Sequence, residues 1–301
     1  MTATNAMIQG ILQGLTEFLP VSSSGHLTLF QYFTGQHEEG GLIFTVFLHI
    51  GTLLAVFIAF YKTIWGLLKE VAAMATSAVK IRSKEDFLDF FRKANPERRM
   101  IFLLFISLLP MLISLRFSDF FTGVVERGDI IVVGGCFIIT SILLFLADSC
   151  PWGEKTAATM KYRDAVLIGA VQAIAPMPGI SRSGSTISMG LLAGLRKDFA
   201  VAFSFIMGIP PVVGANIMEY RAAMDEGLGI EPQIVLIGIA ASLVVGLLAI
   251  FLVKWLVQSE RFKIFAYYTL VLGVLTIGVG IFERLTDNMI QGLMMELLNY
   301  I

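Results

Sequence analysis

Charge is what this chain has least of. Asp, Glu, Lys and Arg make up 15% of its 301 residues, against 56% hydrophobic. Soluble domains carry about a quarter charged residues, so the shortfall argues against a water-soluble globule. Neither sign dominates: the net charge of −1 offers no basic surface for a nucleic acid. Cysteine is confined to Cys136 and Cys150, one inside an apolar run and one just past its end. That excludes a disulfide framework and a CxxC metal spacing. No basic stretch followed by a clean apolar run opens the chain, so no cleavable signal is expected.

The charges that exist are bunched, and long runs have none. Uncharged stretches occupy 40–61, 100–115, 130–147, 199–218, 232–253 and 264–282. Each approaches the ~20 apolar residues that cross a hydrocarbon core of ~30 Å. The run at 100–115 is short, but Arg99 and Arg116 can snorkel outward from its ends. The expectation is an all-α polytopic membrane protein with six transmembrane helices. Residues 62–99 form a long loop of mixed charge whose FLDFF stretch, Phe87 to Phe91, suits the headgroup region. In the tail, 285–301, Leu285, Met289, Leu293, Leu297 and Ile301 recur at helical spacing. They fit an amphipathic helix on the outer face or the contact of a homodimer.

Two further apolar segments, 6–35 and 165–194, are interrupted midway by PVSSSG (Pro20 to Gly25) and PMPGISRSGS (Pro176 to Ser185). A leading half spanning 6–19 reaches only ~20 Å as a helix, near the midplane but not across. Each segment therefore reads as a re-entrant hairpin. Irregular backbone at that depth is tolerated only in protein or beside a wet cavity. Laid with Ala6 on Ala165, the segments also match at Gly10/Gly169, Gln13/Gln172, Ser22/Ser181, Ser24/Ser183, Gly25/Gly184 and Gly35/Gly194. This suggests a duplication within a single integral membrane domain, 1–301, with repeat one at about 6–147 and repeat two at about 165–284.

Tracing the spans puts 17 Lys and Arg, including those of loop 62–99, on one side and four (Arg116, Arg127, Arg221, Arg284) on the other. By the positive-inside rule the first side is cytoplasmic. The hairpins then enter from opposite faces, an inverted-topology repeat whose breaks meet at one pocket.

The residues able to do chemistry lie at those breaks. Gln9, Gln13, Thr16 and Glu17 share one face of the first half-helix. An ionisable group so deep marks a functional site by default; otherwise Glu17 caps a serine amide or pairs with Arg182. Ser22, Ser23 and Ser24 are good helix caps. Three in a row followed by His26 exceed what capping needs, and serine beside imidazole is the material of an activated nucleophile. His49, mid-helix, and His37, in a loop, read as structural. Gly179, Ser181, Ser183 and Thr186 offer amides and hydroxyls at a half-helix N-terminus, an anion site. Arg182 adds a planar fork suited to phosphate. Without an anionic partner an arginine there would cost at least ~2.5 kcal/mol. A phosphate on a lipid suits such a pocket better than a free nucleotide.

Gln13 to Glu17 running into FLPVSSSGH, together with PGISRSGST, resembles the undecaprenyl pyrophosphate phosphatases, the bacitracin-resistance proteins of bacteria. The resemblance covers nearly the whole chain. It implies removal of the terminal phosphate of a polyprenyl pyrophosphate lipid, in the inner membrane, from a site open to the periplasm. It also implies a divalent cation, Mg or Ca, with Glu17 as metal ligand or base. The family allows Glu or Gln at the first motif position, and this chain has Gln13. On that basis Arg182, Ser22, Ser24, Gly179, Ser181, Ser183, Thr186 and Gln13 would hold the diphosphate. Ser23 or His26 would attack, with His26 shuttling the proton. The inverted repeat also suits a lipid-phosphate flippase or anion transporter, which would need no acid–base pair.

Overall fold

The geometry is that of a computed structural model describing residues 2–34, 41–79, 82–117, 123, 129–151, 153–224, 231–286 and 288–299. Gly35, His37, Lys80, Arg127 and Ile301 lie outside the described residues. Every named element is helical. The first break separates α1 (Ala3–Phe18) from α2 (Ser23–Thr34). Next come α3 (Gly41–Ala59), α4 (Tyr61–Ala78), α5 (Lys84–Arg92), α6 (Pro96–Leu108), the short α7 (Met111–Ser114) and α8 (Ile130–Asp148). The second break lies between α9 (Tyr162–Ile174) and α10 (Arg182–Leu192). The chain continues through α11 (Lys197–Met207), α12 (Ile209–Met224), α13 (Pro232–Gln258), α14 (Lys263–Thr286) and α15 (Met289–Asn299).

Ile130–Asp148, Lys197–Met218, Pro232–Gln258 and Lys263–Thr286 are each long and apolar enough to cross a bilayer. A fifth span is available if α3 and α4, bent by 87°, count as one. Leu236, Leu248, Val271 and Leu275 stand well over half exposed on α13 and α14. So large an apolar exterior belongs against lipid. The sixth expected span, 100–115, is different. Asn95 caps α6 and Pro96 opens it, but the helix stops before Pro110, whose ring and missing N–H end it. Thirteen residues reach only ~20 Å. The segment 199–218 is likewise two helices, α11 and α12, broken at Gly208 ahead of Pro210 and Pro211.

Small residues set the packing that places the site. Ala6, Gly10 and Gly14 form the buried stripe of α1. They meet Gly238, Ser242 and Gly246 on α13 so closely that a methyl on Gly10 would lie 2.6 Å from the Gly238 carbonyl oxygen. Small residues at i and i+4 let helix backbones approach where lipid supplies no hydrophobic drive. Around α8 and α14 the same device is reciprocal: a methyl on Gly134 or on Gly273 would come 2.8 Å from the other's carbonyl oxygen.

The tail helix α15 docks on the first hairpin. Glu283, 1% exposed, accepts from the Ile290 and Gln291 amides at its N-terminus, and Gln291 Nε2 donates to the Tyr32 carbonyl. The FLDFF helix α5 buries none of its residues and starts with a Ser83/Asp86 capping box.

Candidate active site

The two breaks meet. Ser22 Oγ accepts from the Gly179 amide (3.1 Å) across the junction, and Ser183 Oγ donates to the Leu19 carbonyl (3.2 Å). Gly25 lies against the Gly179 backbone and Gly184 against Pro20. The caps are twins. Gly25 N–H donates to Ser22 Oγ at 3.2 Å, as Gly184 N–H does to Ser181 Oγ at 3.1 Å. Each cap hydroxyl also meets the serine two residues on, Ser24 at 3.4 Å and Ser183 at 3.3 Å. The pairs are those aligned in the sequence. Thr140 of α8 staples the second break, donating to the Gly179 carbonyl and accepting from the Ser181 amide.

Ser22 holds φ at +66°, a left-handed conformation in which a residue other than glycine is strained. Its oxygen takes two amide N–H groups, and its carbonyl takes the His26 amide and ring Nδ1. Ser22 therefore organises the break, and its hydroxyl is already committed.

Between the breaks lies a cavity of about 70 Å³, several times what one water needs. Thr16, Glu17 and Ser22–Ser24 line it from the first hairpin, and Ala175, Ile180 and Ser181–Ser183 from the second. Arg182 Nη2 donates to Glu17 Oε1 in a short ion pair. Gln13 Nε2 donates to the other carboxylate oxygen at 3.2 Å, and His49 Nε2 is 4.0 Å from that same oxygen. The pair neutralises two charges that would each be expensive at this depth. The guanidinium has five N–H donors in a rigid fork, and Glu17 occupies one of its nitrogens.

So the structure gathers Glu17, Arg182, Ser22, Ser23, Ser24, Ser181 and Ser183 around one space. Gln13 stands one turn behind Glu17. The Gly179 amide is held by Ser22 rather than presented to the cavity. Thr186 is 1% exposed and hydrogen-bonded to Ser204 Oγ at 2.5 Å and to the Arg182 carbonyl. Nor does His26 line the cavity: its ring spans the Ser22 carbonyl (2.7 Å) and Tyr268 Oη (2.6 Å). Of the Gln9–Thr16 stripe, Gln9 is half-buried and Thr16 bonds back to the Leu12 carbonyl.

Three participants escaped the sequence reading. His49, taken as a structural helix residue, belongs beside Glu17. Its signal was an imidazole inside an uncharged run, the same depth argument that singled out Glu17. Gly208 lies against Arg182, where a Cβ would overlap the guanidinium; the helix-breaking GIPP sequence pointed there. Tyr268, on the far side of His26, left no sequence signal.

A divalent cation finds one carboxylate on this cavity. Among the described residues no group of three His, Cys, Asp or Glu could hold a metal. Glu17 would be the one carboxylate here to hold an oxygen-seeking ion, which takes six or more oxygen ligands and would need others besides.

Residues 6–275 match the family model described as bacitracin resistance protein BacA. The chain is 36% identical to an undecaprenyl-diphosphatase of Alkaliphilus metalliredigens, covering 92% of this chain and 98% of that protein. It is 38% identical to one from Rubrobacter xylanophilus over 90% and 95%, and 34% identical to one from Methanosphaera stadtmanae over 92% and 98%. This chain belongs to the bacitracin resistance protein BacA family.

Proposed function

We propose that the chain hydrolyses undecaprenyl pyrophosphate to undecaprenyl phosphate and inorganic phosphate. That returns the lipid carrier to cell-wall synthesis and confers bacitracin resistance. The observation that carries this reading is one polar cavity, inside an otherwise apolar helical body, where Arg182, Glu17 and serine hydroxyls from two chain breaks converge. A diphosphate on a polyprenyl tail matches both halves of that description.

Arg182 turns its fork from Glu17 toward the incoming diphosphate, aided by Ser24, Ser181 and Ser183. Charge neutralisation and positioning dominate phosphoryl transfer, so Arg182 carries the largest share. The cavity hydroxyls of Ser22 and Ser24 meet each other, which leaves Ser23, at the start of α2, as the hydroxyl of the first break for the attack. Its Oγ attacks the distal phosphorus, its proton passing to Glu17. A bond from Oγ to phosphorus forms as the bridging P–O bond breaks, and undecaprenyl phosphate leaves. Water then hydrolyses phospho-Ser23 and releases inorganic phosphate. Glu17 would be the residue to hold a Mg²⁺ or Ca²⁺ ion, which when bound would supply further charge neutralisation.

The membrane arrangement completing this reading has six spans, counting α6 with α7, and two re-entrant hairpins of opposite entry. Loop 62–99 is cytoplasmic and the cavity opens to the periplasm. The paired caps and the reciprocal Gly134–Gly273 crossing support the two-fold relation.

The test is phosphate release by purified protein in detergent from farnesyl or undecaprenyl pyrophosphate, for wild type, Glu17→Ala and Arg182→Ala. Release by wild type alone supports the reading. Folded Arg182→Ala protein with wild-type release defeats it.

A further inference from the structure

We infer that His26 serves the reaction from outside the cavity, as a positioning residue locked by Tyr268, rather than carrying a proton or attacking phosphorus. The inference rests on the phosphatase reading above. A backbone carbonyl can only accept, so the 2.7 Å contact with the Ser22 oxygen puts the proton on His26 Nδ1. In the neutral ring Nε2 is then the acceptor, and the Tyr268 hydroxyl donates to it at 2.6 Å. The two rings are parallel within 1°, with centroids 5.7 Å apart, and Phe137 meets the imidazole edge-on at 5.4 Å. Neither nitrogen is available to the cavity, and the ring is clamped between two aromatic side chains.

What the ring does hold is Ser22. That residue sits in a strained backbone conformation, and its carbonyl takes both the His26 amide and the imidazole N–H. Fixing that carbonyl fixes the peptide leading into Ser23 and Ser24, the two hydroxyls the first break turns toward Arg182. Tyr268 belongs to α14, 242 positions away in sequence, so it anchors the re-entrant hairpin to a full-length span. Losing both hydrogen bonds would free the ring and the serine turn together.

The experiment is a double-mutant cycle on phosphate release from farnesyl pyrophosphate in detergent. It uses His26→Asn, His26→Ala, Tyr268→Phe and the Asn/Phe double variant, with thermal melting as the folding control. An Asn amide can replace the Nδ1–H donor to Ser22 but cannot shuttle a proton at Nε2. His26→Asn should lose less than about tenfold in kcat, with KM and the shape of the pH–rate profile kept. His26→Ala should lose about 100-fold. Tyr268→Phe, altering a half-exposed side chain, should lose about three- to tenfold in the wild-type background and nothing further in His26→Asn, where its acceptor is gone. Two results overturn the proposal: folded His26→Asn protein as inactive as His26→Ala, or a Tyr268→Phe effect equal in both backgrounds. A wild-type protein that releases no phosphate fails the functional reading instead.

Discussion

Arg182 fills the space that a side chain on Gly208 would need. A Cβ built on Gly208 overlaps the guanidinium Nη1, although the two residues come from different helices. Backbone conformation is not the reason for glycine there, since φ is −70°, open to any residue. The reason is room for the arginine.

Gly208→Ala therefore separates site from scaffold. Alanine is the better helix former by about 1 kcal/mol, so the substitution should leave folding intact or improve it. It should also push the guanidinium off its position by an ångström or so. Displacements of that order cost on the order of 100-fold in rate. Measured together, melting temperature should hold or rise while kcat falls. Wild-type turnover in Gly208→Ala would mean that the arginine's placement does not limit the reaction.

The Glu17–Arg182 pair can be tested by exchange. Glu17→Gln leaves a largely buried cation without its counter-charge. Because the Arg182 side chain keeps 21% of its exposure, the penalty should fall below the 3–5 kcal/mol of a fully buried pair, at about 2 kcal/mol. Reversing the pair, with Glu17→Arg and Arg182→Glu together, should recover much of that stability and none of the phosphate release. Arg182→Lys keeps the charge but loses the bidentate fork, and should drop kcat by about 100-fold. Recovery of activity in the reversed pair would show that a cation anywhere on the cavity suffices.

Ser22 gives a prediction of opposite kind. Ser22→Ala keeps the left-handed strain and strips the Gly25 and Gly179 amides of their shared acceptor. Two buried donors left unsatisfied cost about 2 kcal/mol or more. Ser22→Gly loses the same acceptor but relieves the strain, for which glycine is suited. The glycine variant should melt higher than the alanine variant. Equal melting temperatures would remove strain at Ser22 from the account.

These residues also show how far the sequence could be read. Composition and the spacing of uncharged runs located the apolar helices, because crossing a bilayer imposes a length. The breaks were legible because Pro, Gly and Ser cannot hide in an apolar run. Ser22 and Ser181, matched in the sequence, prove to be twin caps, since both serines do the same local task. Local rules do not say where a ring turns, so His26 was placed with Glu17 when it faces Tyr268. His49 was set aside as a mid-helix residue, yet it stands beside Glu17, brought from α1 by packing of glycines on α13. The run 100–115 stood out by hydrophobicity, and Pro110 divides it into α6 and α7.

The last prediction concerns Gln13, one helical turn from Glu17 on α1. Gln13 donates to Glu17, so it supports a single negative charge rather than adding one. With one carboxylate on the cavity, a divalent cation depends on the diphosphate for most of its ligands. A chelator should accordingly abolish turnover and leave the melting temperature of the substrate-free protein unchanged. Gln13→Glu places a second carboxylate one helical turn from the first. Like charges at i and i+4 repel by a few tenths of a kcal/mol, a penalty that a bound cation reverses. Cation affinity rises with ligand charge count, so the concentration giving half-maximal phosphate release should fall several-fold in the variant. The chelator should now lower the melting temperature of protein prepared with Mg²⁺. An unchanged cation requirement in Gln13→Glu would place the metal away from Glu17, and Arg182 would then be the only charge on this cavity that meets the diphosphate.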